Sequence, residues 1–414
     1  MGSERQRAEV IVIQTLHAIE VDAAPASSAH PQRVLRVAHL ATVPFRPEEG
    51  VSRAVTSLAG LMPQVESHLI ADNPVGSEFA GHHQLKNWNP VKVLASGQLD
   101  SVLRSLKPDV VHLHGGILAS SLALSSALRR VPVVATVYQL LPVPRTELGF
   151  QQFFDARRSS IRPGRIAASA LAGLPLARGL LKRGGIEVVC TPDPRVAAAL
   201  DRYGPVIMVQ GGASVSLLQA QWSVSPVVGF AGRAEQGRGV EELVEAVGLL
   251  RKDFPKIKLR LMLLPGPAAE RWTSTYGTES HIELSVGVKS DLSAELASCH
   301  VVALPFRIPA TITPPLVAAE AMAVGVPVVA NSLSCITPLI SDGRNGMLAA
   351  DSSAASLACA IGKVLKDRAT WDSLSAGARD TIATEWSWAN AADATARAYG
   401  AALDRRETRR GRGD

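Results

Sequence analysis

Short apolar runs alternate with longer helical stretches rich in Ala and Leu along most of the chain. Runs such as residues 34–40, 110–113 and 131–137 are rich in β-branched side chains and have Gly, Pro or Asp near their ends. Continuous β-branched runs that alternate with helices are typical of strands buried on both faces of a parallel sheet. The pattern therefore predicts an α/β fold built on parallel sheets.

The same rhythm restarts after Ser225, with an apolar run at 227–231 and a helical stretch at 240–250. A chain of 414 residues is too long for one ordinary core, so two domains are expected. The two series predict two Rossmann-like, doubly wound domains that face each other. Ligands of such sheets bind outside the carboxyl ends of the strands, which here predicts a site in the central cleft.

We predict five segments from these patterns. The last helical stretch has no strand after it, and the end of the chain is basic and contains glycine, as solvated tails often do. The segments are an N-terminal extension (1–32), a first Rossmann-like domain (33–212), a second Rossmann-like domain (213–388), a helix that crosses back to the first domain (389–404) and a disordered basic tail (405–414).

Composition and charge limit the kinds of ligand or partner that the chain could bind. The net charge is +6, yet acidic residues are interspersed almost everywhere, which suits an anionic ligand without implying nucleic acid. Aromatic residues make up 4% and do not alternate with basic ones, so no nucleic-acid partner is expected. The four cysteines have no metal-ligand spacing, and no long apolar run or signal peptide is evident. We therefore expect a cytoplasmic protein with no metal site.

The strongest local motif is Gly-Arg-Ala-Glu-Gln-Gly-Arg-Gly at 232–239, directly after the buried run and directly before a helix. A strand, a glycine loop and a helix start together form an anion site, because backbone N–H groups and the helix dipole attract negative charge. Arg233 and Arg238 could clamp phosphate oxygens there. The residues alone leave an ordinary turn with surface arginines as an equal alternative.

A second motif runs from Thr313 to residue 330. Thr313 is expected to cap a helix that has Pro314 at its first position. Glu320 then lies near the middle of an otherwise apolar helix, where an unpaired carboxylate would be costly. A vicinal diol such as that of ribose is one partner it could have, and a structural salt bridge is the commoner alternative.

Together these motifs resemble the retaining GT-B glycosyltransferases of the large family 4 type, the group 1 glycosyltransferases. The resemblance covers roughly residues 34 to 400. It includes Pro-Asp-Val-Val-His-Leu-His-Gly at 108–115, the stretch 320–330 and Ser387-Trp388 before the last helix. It implies a GT-B fold in which the first domain (33–212) is on the acceptor side and the second (213–388) binds the nucleotide sugar. It also implies transfer of a sugar, with retention and without metal, from a nucleoside-diphosphate sugar. That sugar is a co-substrate, so no separate cofactor is implied.

The resemblance also implies roles for particular residues. Arg233 and Arg238 would hold the donor diphosphate, Glu320 the donor ribose, and Gly50 a loop near the phosphates. Val288 would lie beside the base. The complete expected donor-binding set is Gly50, Gly232, Gly239, Val288, Thr311, Thr313, Leu316, Val317 and Glu320.

The chain departs from the family pattern at two positions. Ile312 stands eight residues before Glu320, where the family often has a glutamate near the donor sugar. Tyr138 replaces the family's first-domain histidine. His112 and His114 alternate on a buried run, and His114 is the better functional candidate. The expected catalytic set is Arg233, Arg238, His114 and Tyr138.

Residues 157–183 have basic ends around an apolar stretch. This segment could touch the inner face of a membrane peripherally, which would suit a lipid-linked acceptor, or it could be a solvated insertion beside a small-molecule acceptor. Two other functions remain open. One is a sugar-nucleotide 2-epimerase-like enzyme, and the other is a nucleotide-sugar-binding pseudoenzyme.

Overall fold

Two parallel sheets organise the computed structural model, which describes residues 34–138, 173–308 and 312–412. The first has the strand order β3-β2-β1-β4-β5-β6-β7 and the second β10-β9-β8-β11-β12-β13. The strands are β1 (Leu35–Ala41), β2 (Val65–Ala71), β3 (Gly81–Gln84), β4 (Val110–Gly115), β5 (Val133–Val137), β6 (Val188–Thr191), β7 (Val206–Met208), β8 (Val227–Gly232), β9 (Lys258–Leu263), β10 (Ile282–Val286), β11 (Val301–Leu304), β12 (Val328–Asn331) and β13 (Gly346–Ala349).

Helices cover these sheets. They are α1 (Gly50–Gly60), α2 (Pro90–Ser96), α3 (Gln98–Leu106), α4 (Leu174–Arg183), α5 (Pro194–Leu200), α6 (Val240–Leu250), α7 (Pro267–Tyr276), α8 (Leu292–Ala297), α9 (Leu316–Ala323), α10 (Ala354–Lys366), α11 (Arg368–Thr384) and α12 (Trp388–Arg412). The predicted α/β fold with two doubly wound parallel sheets is confirmed.

Helix α1 shows why the sequence forms these layers. Val51, Ala54, Val55 and Leu58 follow the helical repeat and are all buried, so one face of α1 packs on the first sheet. Strand β4 is buried along its whole length, as a central parallel strand must be.

In both sheets the strand order reverses beside the first strand. In the second sheet this point lies between β8 and β11. Open parallel sheets bind ligands at such a reversal. The loops after β8 and β11 therefore frame the candidate site.

The chain passes between the domains twice. Strand β7 ends at Met208 and β8 begins at Val227, so the predicted boundary at 212/213 falls within this connection. Ala213 forms a parallel bridge with Ser387 on the second passage. The amide of Trp388 donates to the carbonyl of Ala213 at 3.1 Å, which holds the two passages together.

Helix α12 returns to the first domain and buries Ala391, Ala398, Tyr399 and Ala402 there. The sequence predicted a helix over 389–404 and a disordered tail over 405–414, and the tail prediction is wrong. The helix continues to Arg412 because the tail arginines have a buried partner. Glu187 is 1% exposed and lies 3.5 Å from Arg406 and 3.6 Å from Arg409.

Two predicted segments fall wholly or partly outside the described residues. The extension 1–32 lies outside them, as do residues 157–172 of the basic segment. The remainder of that segment contains α4, which buries Ala177 and Leu181 and ends with exposed Lys182 and Arg183. Within the three described ranges, no helix combines the length and the apolar character needed to cross a bilayer.

Candidate functional site

The glycine loop after β8 is shaped by its backbone. Gly232 has a φ of 140° at the end of the strand, and Gly239 has a φ of 67° directly before α6. These values suit glycine and strain other residues. A Cβ at Gly239 would also overlap the carbonyl oxygen of Pro305, so this position needs glycine for space as well as for conformation. The loop is thereby drawn against the end of β11.

Arg238 is fixed inside this loop. Its guanidinium stacks over the ring of Phe306 at 4.6 Å, and the amide of Arg307 donates to the carbonyl of Gly237 at 3.0 Å. Burial lowers the pKa of Arg238, and the neighbouring charge of Arg233 lowers it further to a smaller degree. Two guanidiniums near each other in a partly buried loop favour a ligand that carries negative charge.

Arg233 projects toward the first domain. Its Nη2 donates to Oε1 of Glu49 at 2.5 Å, and both side chains are about one third exposed. Glu49 directly precedes α1, whose first residue is Gly50. The predicted phosphate ligand of the second domain is therefore paired with an acid of the first.

Glu320 lies on α9, and its side chain is 14% exposed. It forms an ion pair with Arg53 of α1, so the salt bridge expected as one alternative exists. Its other oxygen, Oε2, is buried and has no hydrogen-bond partner among the described residues. A buried acceptor without a donor is unfavourable, so this oxygen is suited to a hydroxyl donor from a ligand.

The start of α9 differs from the prediction. Thr313 is not the helix cap, and the helix begins at Leu316 after Pro315. The reason is the residue pair at 314–315, because a residue that precedes proline is disfavoured in the helical region. Thr313 is buried at the domain contact, where its amide donates to the carbonyl of Tyr138 at 3.1 Å. Its hydroxyl has no partner within the described ranges.

Apolar side chains close the cleft beside this contact. Ile312 and Leu316 pack with the apolar cluster of the first domain. A Cβ at Gly50 would lie 2.7 Å from Cδ1 of Ile312. A cavity of about 10 Å³, about the space of one water, remains between the domains. Its walls include Tyr138, Thr313, Ile312 and Leu316.

Three histidines form a buried network behind Tyr138. Nε2 of His114 lies 3.1 Å from Nδ1 of His39, and its Nδ1 lies 3.1 Å from the Tyr138 hydroxyl. His112 lies 2.8 Å from the hydroxyl of Tyr399 and 2.6 Å from that of Thr136. Candidate ligand atoms of the three rings fall within 4.8 Å of one another, as in a metal centre. Every ring nitrogen already has a hydrogen-bond partner, so the cluster is a hydrogen-bonding network.

Burial sets the charge state of this network. It lowers the pKa of His39 to about 3 and lowers the pKa values of His112 and His114 well below their usual value. Burial also raises the pKa of Tyr138. General acid–base groups work best when their pKa lies near the working pH. His114 and Tyr138 are therefore suited to orienting neutral groups.

The remaining predicted residues lie at the edges of the site. Val288 is 60% exposed and follows Gly287 after β10. Val317 lies half-buried in the first turn of α9. Thr311 falls outside the described residues.

Glu49 and Arg53 are site residues that the sequence patterns above do not predict. An acid and a base four residues apart around Gly50 were the signal, because such a spacing puts both charges on one helix face. The pattern could not reveal that their partners lie in the other domain.

A family model and a known sequence each match part of the chain. Residues 225–367 match the family model described as Glycosyl transferases group 1. The chain is 35% identical over 192 residues to D-inositol 3-phosphate glycosyltransferase of Stackebrandtia nassauensis. That similarity covers 44% of this chain and spans 42% of the relative's length.

Comparison with solved structures shows the fold. Sucrose-phosphate synthase from Thermosynechococcus elongatus superposes with a TM-score of 0.69 at 17% identity, over 89% of this chain and 98% of that one. HepE of Anabaena, solved in complex with UDP and glucose, superposes with a TM-score of 0.66 at 16% identity, over 89% of this chain and 100% of that one. The expected GT-B architecture is confirmed.

Proposed function

We propose that this chain, whose residues 225–367 match the family model of the group 1 glycosyltransferases, transfers a sugar from a nucleoside-diphosphate donor to an acceptor. One observation carries the proposal. Arg233 and Arg238 share the glycine loop at the crevice of the second sheet, in front of the start of α6. Glu320, on α9, has an oxygen that lacks a donor in the part of the chain that the structure describes. This arrangement suits a diphosphate joined to a ribose.

The chemistry asks mainly for electrostatic stabilisation. As the bond to the sugar breaks, negative charge develops on the departing diphosphate, and a preformed cationic loop stabilises it. Arg233 and Arg238 supply two guanidiniums, so the proposed transfer proceeds without a metal ion. We further propose retention of the anomeric configuration, with the acceptor attacking on the face that the phosphate leaves.

His114 and Tyr138 are proposed to position the acceptor side of the cleft. Tyr138 is one wall of the small cavity between the domains, and His114 holds its hydroxyl from behind. Both groups stay neutral near pH 7, since burial moves their pKa values away from neutrality in opposite directions. Their role is to fix a hydrogen-bonding direction.

The acceptor is proposed to be a small molecule or a lipid-linked group, met by a cytoplasmic enzyme. Exposed Lys182 and Arg183 at the end of α4 would favour an anionic membrane surface for the second kind. Flotation with vesicles of phosphatidylcholine alone and with added phosphatidylserine tests the contact. Binding only to the anionic vesicles, lost on changing both residues to Gln, is the expected result.

Thermal unfolding with UDP, GDP, ADP and dTDP, each with and without magnesium, tests the donor site. A ligand that binds only the folded protein raises its melting temperature, so one base should give a clear rise that magnesium does not change. Arg233→Ala should reduce this rise, whereas Arg251→Ala, at an exposed arginine after α6, should not. No rise with any nucleotide would contradict the proposal.

A nucleotide-sugar-binding pseudoenzyme is the second candidate, favoured by Ile312. This side chain packs against Gly50 and cannot accept a hydrogen bond from a sugar hydroxyl. Release of nucleoside diphosphate from bound donor, followed over hours with a panel of acceptors, separates the two. Binding without release in any reaction supports the pseudoenzyme, and formation of a 2-epimer without acceptor supports the epimerase-like alternative.

A further inference from the structure

Two ion pairs of opposite polarity join the domains at the candidate donor site. The first domain supplies an acid, Glu49, to the base Arg233, and a base, Arg53, to the acid Glu320. Glu49 and Arg53 are four residues apart, and the amide of Arg53 donates to the carbonyl of Glu49 at 3.0 Å. The first turn of α1, together with the residue that caps it, therefore carries both charges on a single rigid element.

Each pair resembles a contact that a donor would make. The Glu49 carboxylate offers an anionic oxygen to Arg233, as a phosphate would. The Arg53 guanidinium offers N–H groups to Glu320, as the hydroxyls of a diol would. A donor whose phosphate takes Arg233 and whose two diol hydroxyls take both oxygens of Glu320 must therefore replace both first-domain partners.

The two replacements are mechanically coupled. Since both partners sit on the same turn of α1, moving that turn away from the second domain breaks both pairs together. A ligand with only one of the two groups restores one contact and leaves the other residue unpaired. A ligand with both groups restores both.

We propose that Glu49 and Arg53 are specificity-determining residues that make the site select ligands carrying both a diphosphate and a vicinal diol. This inference rests on the proposed function. Its distinctive consequence is a cross-effect, in which removing one ion pair helps a ligand that replaces only the other.

The cleanest test uses uridine, UDP and pyrophosphate on the full chain, with guanosine and adenosine and their diphosphates in parallel. Uridine is neutral, so the charge of Glu49 does not repel it. Glu49→Gln should nevertheless tighten uridine binding about threefold to fivefold, as expected for loss of a partly exposed ion pair. Pyrophosphate should gain more, because repulsion by the carboxylate is lost as well.

Glu48→Gln is the matched control. It removes the same charge next to Glu49, while the pair of Arg233 is made by Glu49. This control should leave uridine affinity unchanged. Melting curves without ligand confirm that the variants are folded. Arg53→Gln provides a second variant, and Arg104→Gln, at an exposed position of α3, is its control.

The outcomes separate the two proposals. If UDP, GDP or ADP binds the wild type and Glu49→Gln leaves the affinity of the matching nucleoside unchanged, the ion pairs are independent and this inference is wrong. Nucleoside binding too weak to measure in both proteins would also overturn it. If no nucleoside diphosphate binds any of the proteins, the proposed function itself fails.

Discussion

Gly50 and Ile312 touch across the cleft, at a distance where a Cβ on residue 50 would lie 2.7 Å from Cδ1 of Ile312. Gly50 begins α1 in the first domain, and Ile312 precedes α9 in the second. The fit explains two sequence features at once. A side chain at position 50 would require Cδ1 of Ile312 to shift, and position 312 carries an apolar side chain that packs with the first domain.

We expect Gly50→Ala to weaken this contact. The added methyl forces the end of the Ile312 side chain to move, which should cost about 1 kcal/mol, at the low end for overpacking. Calorimetry should show a lower melting temperature. In the background of Ile312→Ala, which makes room for the methyl group, Gly50→Ala should lower the melting temperature much less than it does in the wild type. Equal losses with and without Ile312 would show that the helix start, and not this contact, needs glycine.

Glu320→Gln should discriminate between nucleotides with and without a 2′-hydroxyl. The wild-type carboxylate can accept from both hydroxyls of a ribose, whereas the amide of glutamine has one accepting oxygen. Isothermal titration should show UDP losing at least roughly tenfold in affinity, in line with about 1.5–3 kcal/mol for a hydrogen bond to a charged group. 2′-Deoxy-UDP should lose less. An equal loss for both ligands would assign Glu320 to the Arg53 salt bridge alone.

The buried histidines predict acid sensitivity. The folded pKa of His39 is about 3, mainly through burial, against 6.5 for the free side chain. Below pH 6.5 the unfolded chain therefore binds a proton that the folded protein does not, and stability falls until the pH nears 3. The slope is at most about 1.4 kcal/mol per pH unit for each such histidine.

Urea unfolding at pH 7, 6 and 5 measures this slope. His112 and His114 contribute in the same direction, since burial lowers both pKa values. His39→Gln should make the pH dependence shallower by one proton, whereas His82→Gln, at an exposed histidine, should leave it unchanged. A slope identical in wild type and His39→Gln would refute the assignment.

Removal of residues 405–414 should destabilise the first domain. Glu187 would keep the amide of Val133 as a donor but lose Arg406 and Arg409, and a buried carboxylate that loses its cations costs about 3 kcal/mol. Removal of residues 413–414 alone is the control. Adding Glu187→Gln to the long truncation should restore part of the stability, and no restoration would place the effect elsewhere in α12.

Features of the fold that depend on local sequence pattern can be predicted from the sequence. The alternation of β-branched runs and helices gives both parallel sheets, and the glycine loop at 232–239 forms at the end of a strand as expected. Glycine spacing and apolar periodicity are properties of neighbouring residues, so a single chain displays them.

Contacts between residues far apart in the chain could not be predicted from the sequence. Nothing next to Arg406 and Arg409 announces Glu187, more than 200 positions away, so the tail looked solvated. The pairs Glu49–Arg233 and Arg53–Glu320 likewise form only once the domains face each other. The prediction that Thr313 caps the helix is wrong for a local reason, because Pro315 disfavours the helical conformation at Pro314.

The bonded passages at Ala213 and Ser387 also determine how the cleft can move. Rotation about the line through these two adjacent backbone segments leaves their hydrogen bond intact, whereas twisting or sliding one past the other would break it. The connection therefore favours opening of the cleft by a single rotation. A rotation about this connection would bring Glu49 and Arg53 back to the same partners, Arg233 and Glu320, whenever the domains close.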